Sequence, residues 1–360
     1  MTTDDYSNTE NSVDASHQPR VNLSYVNEAI QTETVVRRSL LYRLTQIFRL
    51  GQMHALSGLK ALIAAMFVLA YPAMVIAGHK LNDSAVEFGD ARHWSAPEIG
   101  VASTLIAREL DGPGWISDKH EWHPQARLTA LPAWQESLLS ALSDHGQLLL
   151  DLLADERDPD LITAVRLLDA SATHKTTDRL LAANETFARY DDRVAGGVTR
   201  APTGEDALIA RLITSAQWAE REYSQLAAIS TPGDGWLASS DSIEAVYKAK
   251  AVAHVTHAML DAVADREQNM LAKLGVTETM SDALNAWETA ARMRPLFIAN
   301  HGTGSVTGTS HPAIMALHFD QSRLAVLKVA AQIEAARQER IAPPSGPASV
   351  VVAQGTGKGT

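Results

Sequence analysis

Apolar positions recur at helical spacing along most of the chain beyond residue 97. Ile99, Ala102, Ile106 and Leu110 form one such stripe, and Pro97 just before it suits the first turn of a helix. Breaks rich in proline and glycine separate the periodic segments. The pattern predicts helices over 97–110, 132–153, 177–195, 205–229, 241–274, 279–293 and 312–340, and a further helix opened by Asp158-Pro159. No alternating pattern long enough to build a sheet is present, so we expect an all-α fold.

Local signals add detail to the second half of the chain. Asp241 and Glu244 have the spacing of a capping box at the start of the long helix, and Gly275 suits the position after its end. The segment 231–235 is a strong break. We expect one helical domain. The alternative is two subdomains that are hinged near residues 231–236.

One apolar run near the amino end is unlike the rest. Residues 61–78 read ALIAAMFVLAYPAMVIAG and contain no charged side chain. As a helix they span roughly 27 Å, close to the thickness of the bilayer core. Pro72 is tolerated better in a membrane helix than in a soluble one. We expect a single transmembrane signal-anchor here; the alternative is a buried core helix.

The flanking charges predict an orientation for this anchor. Five basic residues and no acid lie within 34–60, whereas 79–98 holds two basic and four acidic residues. Because basic flanks stay in the cytoplasm, the amino terminus is expected inside and residues 79–360 outside. Residues 1–78 hold six basic and six acidic side chains, so the exported part carries the whole net charge of −11. In a bacterium this places a single-pass protein in the inner membrane, with its large domain in the periplasm.

The expected organisation follows from these boundaries. Residues 1–33 are predicted to be a disordered acidic cytoplasmic tail, 34–60 a basic juxtamembrane segment, and 61–78 the transmembrane helix. Residues 79–341 form the periplasmic helical domain, and 342–360 a second disordered tail.

Composition excludes several classes of chemistry. The chain has no cysteine, which rules out disulfides, thiolate metal sites and cysteine nucleophiles. A net charge of −11 argues against nucleic acid as a partner. No motif calls for a cofactor, so none is expected.

Several local patterns carry a family resemblance over roughly residues 60–330. They are the apolar run, Gly114-Trp115, the sequence LPAWQ at 131–135, DPDL at 158–161, YKAK at 247–250 with His257, and a proline-to-glycine-rich stretch from Pro295 through His311 to Arg323. In order and spacing the chain resembles a bacterial family catalogued as domain of unknown function 2333. The resemblance implies a single-pass inner-membrane protein with a helical exported region and no assigned activity.

Two histidines are candidate metal ligands. His254 and His257 are three residues apart in a predicted helix and therefore share a face. A zinc site needs three or four ligands, which His301, His311 or His318 would have to complete. The alternative is two ordinary core or surface histidines.

The glycine-rich and hydroxyl-rich loop from Asn300 to His311 precedes a helix that starts at Pro312. Its backbone N–H groups could hold an anion or a sugar hydroxyl, with Asn300, His301, Ser310 and His311 as candidate ligand-binding residues. The alternative is a flexible linker in which Ser310 caps the helix.

Asp118 and Glu121 form a candidate catalytic carboxylate pair for glycan hydrolysis, with nearby tryptophans to stack on sugar rings. The alternative is that the tryptophans belong to the core.

The function favoured by the sequence is a non-enzymatic interaction or scaffold protein of the cell envelope. It would be held in the lipid bilayer by residues 61–78 and would bind an envelope protein partner. Two alternatives stay open: a periplasmic cell-wall hydrolase, and a carrier of lipid or a small ligand in a cavity between helices.

Overall fold

The computed structural model describes residues 43, 58–66, 81–86, 93–120, 123, 125, 128–153, 156–169, 175–230, 239–293, 297–298, 309–310 and 312–341. Contacts divide the chain into two units, Met1–Tyr71 and Pro72–Thr360. In the first unit, residues 58–66 are helical. Four large apolar side chains of that helix are exposed to solvent: Leu59, Leu62, Ile63 and Met66.

The second unit is built from helices, which confirms the all-α prediction for the described residues. They are α1 (Pro97–Asp111), a 3-10 helix (Ile116–Asp118), α2 (Ala130–Leu153), α3 (Pro159–Leu168), α4 (Thr176–Ala195), α5 (Glu205–Ile229), α6 (Ser240–Arg266), α7 (Gln268–Leu274), α8 (Thr277–Ala291) and α9 (Pro312–Ile341). Two-residue strands, β1 (Phe297–Ile298) and β2 (Thr309–Ser310), pair in parallel.

Helix α6 lies at the centre of the unit. It packs against α1, α2, α5, α8 and α9, and apolar side chains are buried on all its faces, as expected for a helix surrounded by others. Helix α2 runs parallel to it, because Ser137 Oγ donates to the Lys248 carbonyl (2.8 Å) and His145 Nε2 lies 3.4 Å from Thr256 Oγ1, both 111 residues further along.

Two antiparallel pairs complete the packing. In α3 and α4, Arg193 contacts Asp158 at 2.7 Å and Arg189 contacts Asp160 at 3.0 Å. In α5 and α9, ion pairs join Arg337 to Asp206 at 2.6 Å and Arg323 to Glu220 at 3.0 Å. The α8–α9 contact includes an edge-on packing of Trp287 against Phe319.

Charged groups are buried where α1, α5 and α6 meet. Glu98 accepts hydrogen bonds from Arg211 Nε (2.7 Å) and Arg266 Nη1 (2.8 Å), and both arginines also donate to the Pro202 carbonyl. Since each buried charge here has an opposite charge and further hydrogen bonds, the cluster fixes how the three helices meet.

Three local predictions need correction. The long helix predicted over 241–274 is interrupted at Glu267, and Gly275, with φ +69°, ends the shorter α7 instead. The capping box predicted at Asp241 and Glu244 is also wrong. The side chain that caps α6 is that of Ser239, which accepts from the Ser242 N–H at 3.1 Å. Helix α2 begins two residues earlier than predicted, at Ala130.

Within the described residues, none of the helices combines the length and the apolar character that a bilayer crossing requires. Of the apolar run 61–78, residues 67–78 lie outside the described residues. The proposed hinge at 231–236 and the tails 1–33 and 342–360 lie outside them as well.

Candidate functional site

An open cleft of about 940 Å³ lies between the 3-10 helix, α2 and the facing ends of α3 and α4. Apolar residues in its lining are Trp115, Ile116, Pro132, Leu139 and Leu168. Polar and charged residues in its lining are Ser117, Lys119, Gln135, Glu136, Ser140, Ser143, Asp144, Asp169, Thr176 and Arg179. With five apolar and ten polar or charged residues, this lining is more polar than that of a usual small-molecule pocket and offers many hydrogen-bonding groups beside its apolar ones.

The loop after α1 places Lys119 at this cleft. Gly114 adopts φ +69°, a left-handed conformation that a residue without Cβ reaches easily. Its N–H donates to the Glu109 carbonyl, and Lys119 Nζ donates to the Pro113 carbonyl. The end of the Lys119 side chain also lies directly over Gly114. The ammonium group is thus held by the backbone of its own loop.

The buried carboxylate of Glu109 holds the loop after α1 in place through hydrogen bonds. Glu109 Oε1 accepts from the Trp134 indole N–H (2.9 Å), and Oε2 accepts from Gln135 Nε2 (2.8 Å). Gln135 in turn accepts from the Ile116 N–H at 2.9 Å and donates to the Gly114 carbonyl. Burial raises the pKa of Glu109 above its ordinary value, although the two hydrogen bonds oppose it. The network fixes the cleft floor through Ile116.

Arg179 enters the cleft wall from the first turn of α4. It is only 5% exposed. Its Nη1 donates to the carbonyls of Leu167 and Asp169 at the end of α3, a favourable place for a cation. Within the described residues, Arg179 Nε has no hydrogen-bond partner.

Asp118 serves as the cap of α4. Its carboxylate accepts from the backbone N–H of Thr176 (3.0 Å) and of Thr177 (2.6 Å), groups that the helix itself leaves unpaired. Burial favours a higher pKa, but these hydrogen bonds outweigh it, so the pKa of Asp118 is lowered. Glu121, its predicted catalytic partner, lies outside the described residues. The geometry gives Asp118 a structural role.

The carboxylates in the cleft lining include two with cationic partners. Glu136 Oε2 lies 3.1 Å from Lys248 Nζ, and Asp144 Oδ2 lies 3.3 Å from Arg221 Nη2. Lys119 and Arg179, in contrast, form no ion pair with any described residue.

The two candidate metal-binding histidines do share a face of α6, as predicted. They line a smaller cavity of about 120 Å³ together with Asp261 and Glu288. His254 packs on Trp134, with ring centroids 5.5 Å apart. Burial lowers the pKa of His254 to about 4 and also lowers that of His257. Among the described residues, no group of three or more potential ligands could hold a metal ion.

The other predicted ligand residues fall mostly outside the described part of the chain. Asn300, His301 and His311 lie outside it. Ser310 is described by its backbone alone, which pairs with Ile298 across the two short strands. His318 lies on α9, where it lines a separate cavity with Glu288 and Arg292. The loop therefore stays a candidate from sequence.

The sequence pattern did not single out Lys119 and Arg179, the two cations of the cleft. A signal for Arg179 was present, because Arg179, Ala183, Phe187 and Tyr190 are spaced like a buried helix face, and all four are buried. An arginine on such a face needs partners from elsewhere in the fold. The alternative that the tryptophans belong to the core holds for Trp115, Trp134, Trp218 and Trp287, which are buried. Trp94 is only partly buried, and Trp122 and Trp236 lie outside the described residues.

Comparison with known proteins adds no assignment: no protein-family model, no curated protein and no solved structure matches this chain. The resemblance to the family of unknown function stays a prediction.

Proposed function

We propose that the chain is a membrane-tethered interaction protein of the bacterial cell envelope that binds a protein partner in the cleft beside α2. The observation that carries this proposal is the cleft itself. It is open, it measures about 940 Å³, and it combines an apolar wall with serine hydroxyls and charged groups. That combination suits a peptide segment, which presents apolar side chains and backbone polar groups together.

The tether is part of the same proposal. Residues 58–66 are helical, and they expose Leu59, Leu62, Ile63 and Met66. Large apolar side chains exposed on a helix fit a lipid environment. The basic flank at 34–60 supports a cytoplasmic amino terminus and a periplasmic helical domain.

Only four residues, 79–82, separate the end of the apolar run from Asp83, which is bound to Lys250 of α6. A short connection of this kind suits a domain that meets its partner close to the membrane surface.

A blocking substitution tests the cleft. Ser140 is exposed on α2 and lines the cleft, so Ser140→Trp fills the cavity without removing a core side chain. Ser224→Trp is the matched control, since Ser224 is exposed on α5 and does not line the cleft. The full chain carries a photo-crosslinking residue at Ser143 and is purified from detergent-solubilised membranes.

We expect a discrete crosslinked partner with the parent chain and with Ser224→Trp, and its loss with Ser140→Trp. Crosslinking that is unchanged by Ser140→Trp would refute the cleft as the binding site. A reporter fused after residue 90 that is active only in the cytoplasm would refute the orientation.

A further inference from the structure

We propose that the cleft recognises the free carboxylate at the carboxyl end of a partner polypeptide, with Lys119 and Arg179 as the groups that bind it. This inference rests on the proposed function and names the chemistry of the ligand. The charged side chains around the cleft differ in whether they have a partner of opposite charge.

The cations of the cleft have no acidic partner among the described residues. Lys119 is held by the Pro113 carbonyl, and Arg179 by the Leu167 and Asp169 carbonyls. Carbonyl groups orient a cation without neutralising it. In contrast, Glu136 is paired with Lys248, and Asp144 with Arg221.

Of the two cations, Arg179 gives the stronger support for an anion-binding site. The residue is only 5% exposed and lines the cleft. Its Nε has no hydrogen-bond partner within the described residues. A buried guanidinium without an opposite charge is costly, because desolvation is not offset. A carboxylate entering the cleft would supply that charge, and the planar guanidinium suits a carboxylate in particular.

The surroundings favour a peptide as the bearer of this carboxylate. Ser117, Ser140 and Ser143 line the cleft, and their hydroxyls make no hydrogen bond to other described residues, so they are available to a peptide backbone. Leu139 and Leu168 border the same space and suit an apolar last side chain. Three carboxylates, Glu136, Asp144 and Asp169, line the same cleft. The preference for an anion therefore rests on the placement of Lys119 and Arg179 and not on the net charge of the lining.

The test uses two pools of randomised hexapeptides, one with free carboxyl ends and one with amidated ends. Each pool is passed over the immobilised full chain in detergent, and bound peptides are counted by mass spectrometry. We expect about tenfold stronger enrichment of free carboxylates over amides, and an apolar residue at the last position. Lys119→Gln and Arg179→Gln should bring the ratio close to one.

Lys273→Gln is the matched control, because it also removes one positive charge but lies on α7 away from the cleft, and it should leave the ratio unchanged. Circular dichroism identifies any variant that fails to fold, and Lys119→Gln, whose side chain is only half-buried, then decides alone.

The outcomes separate the two proposals. Equal capture of both pools, abolished by Ser140→Trp, would overturn the carboxylate inference and leave the peptide-binding cleft standing. Capture of neither pool would overturn both. Binding of phosphatidylglycerol vesicles that depends on Lys119, without a preference between the pools, would show that the anion belongs to a lipid and would overturn the peptide assignment.

Discussion

Lys250 Nζ lies 2.6 Å from Asp83 Oδ2 and joins the segment that follows the apolar run to the centre of α6. The two side chains are 3% and 2% exposed, and 167 residues separate them in the chain. Lys250 Nζ also donates to the Met293 carbonyl at 2.7 Å. The pair therefore makes residues 81–86 part of the folded domain.

Removing one partner of this pair should be strongly destabilising. Asp83→Asn leaves a buried ammonium without its counter-charge, and we expect a loss of about 3–5 kcal/mol in the free energy of unfolding. Replacing both residues, Asp83→Leu with Lys250→Met, should restore most of it. Urea unfolding of the full chain in detergent measures the difference. Asp151→Asn is the control, since its pair with Arg157 is exposed and should contribute less than about 1 kcal/mol.

A glycine in α2 permits the close approach of α3. A Cβ placed on Gly146 would lie 2.6 Å from Val165 Cγ2, a distance at which the Val165 side chain or one of the two helices must shift. We expect Gly146→Ala to cost about 1–3 kcal/mol of unfolding free energy. Val165→Ala in the same chain should recover part of the loss, because it removes the methyl group concerned. Thermal unfolding that is unchanged in Gly146→Ala would contradict this packing.

Asp118→Ala separates capping from catalysis. Loss of the carboxylate leaves the N–H groups of Thr176 and Thr177 without their acceptor, so we expect about 1 kcal/mol of destabilisation. Asp118→Asn should retain part of the stability, because its amide oxygen still accepts a hydrogen bond. A full loss of glycan-cleaving activity in a stably folded Asp118→Ala chain would instead restore the predicted catalytic pair.

Buried histidines make stability depend on pH. Burial lowers the pKa of His145 to about 3 and that of His254 to about 4, from an ordinary value of 6.5. Below pH 6.5 the unfolded chain therefore binds more protons at these sites than the folded chain does. The contribution of each of these two histidines to the free energy of unfolding should therefore fall by about 2 kcal/mol between pH 7 and pH 5.

His145→Gln tests this dependence at one site. The variant should lose about 2 kcal/mol less than the parent chain between pH 7 and pH 5, as measured by urea unfolding at both pH values. The raised pKa values of Glu109 and Glu222 act with the opposite sign, since their contribution is lost as the pH rises. They are common to both chains and cancel in the comparison. His93→Gln, at an exposed position, is the control.

Sequence periodicity located most helices of the second unit because each buries an apolar stripe against neighbours. The prolines and glycines marked their ends for simple local reasons: Pro97 and Pro159 open helices, and Gly275 closes one. The interruption at Glu267 has no comparable mark, since the apolar pattern continues through it.

The cleft was beyond the reach of pattern analysis for a physical reason. Lys119 and Arg179 are 60 positions apart in the chain, and each is placed by a carbonyl group, which every residue possesses. Whether a cation has an acidic partner depends on packing between helices. Likewise, nothing in the spacing of His254 and His257 reveals that burial keeps His254 neutral.

The segment from Gly114 to Asp118 is fastened on two sides, by Gln135 of α2 and by the amino end of α4. One wall of the cleft is therefore ordered before a ligand binds, and most of the conformational entropy lost on binding is lost by the ligand. Backbone amides of residues 115–118 should then exchange with deuterium at nearly the same rate in the empty and the occupied protein, while a bound polypeptide tail loses most of its freedom.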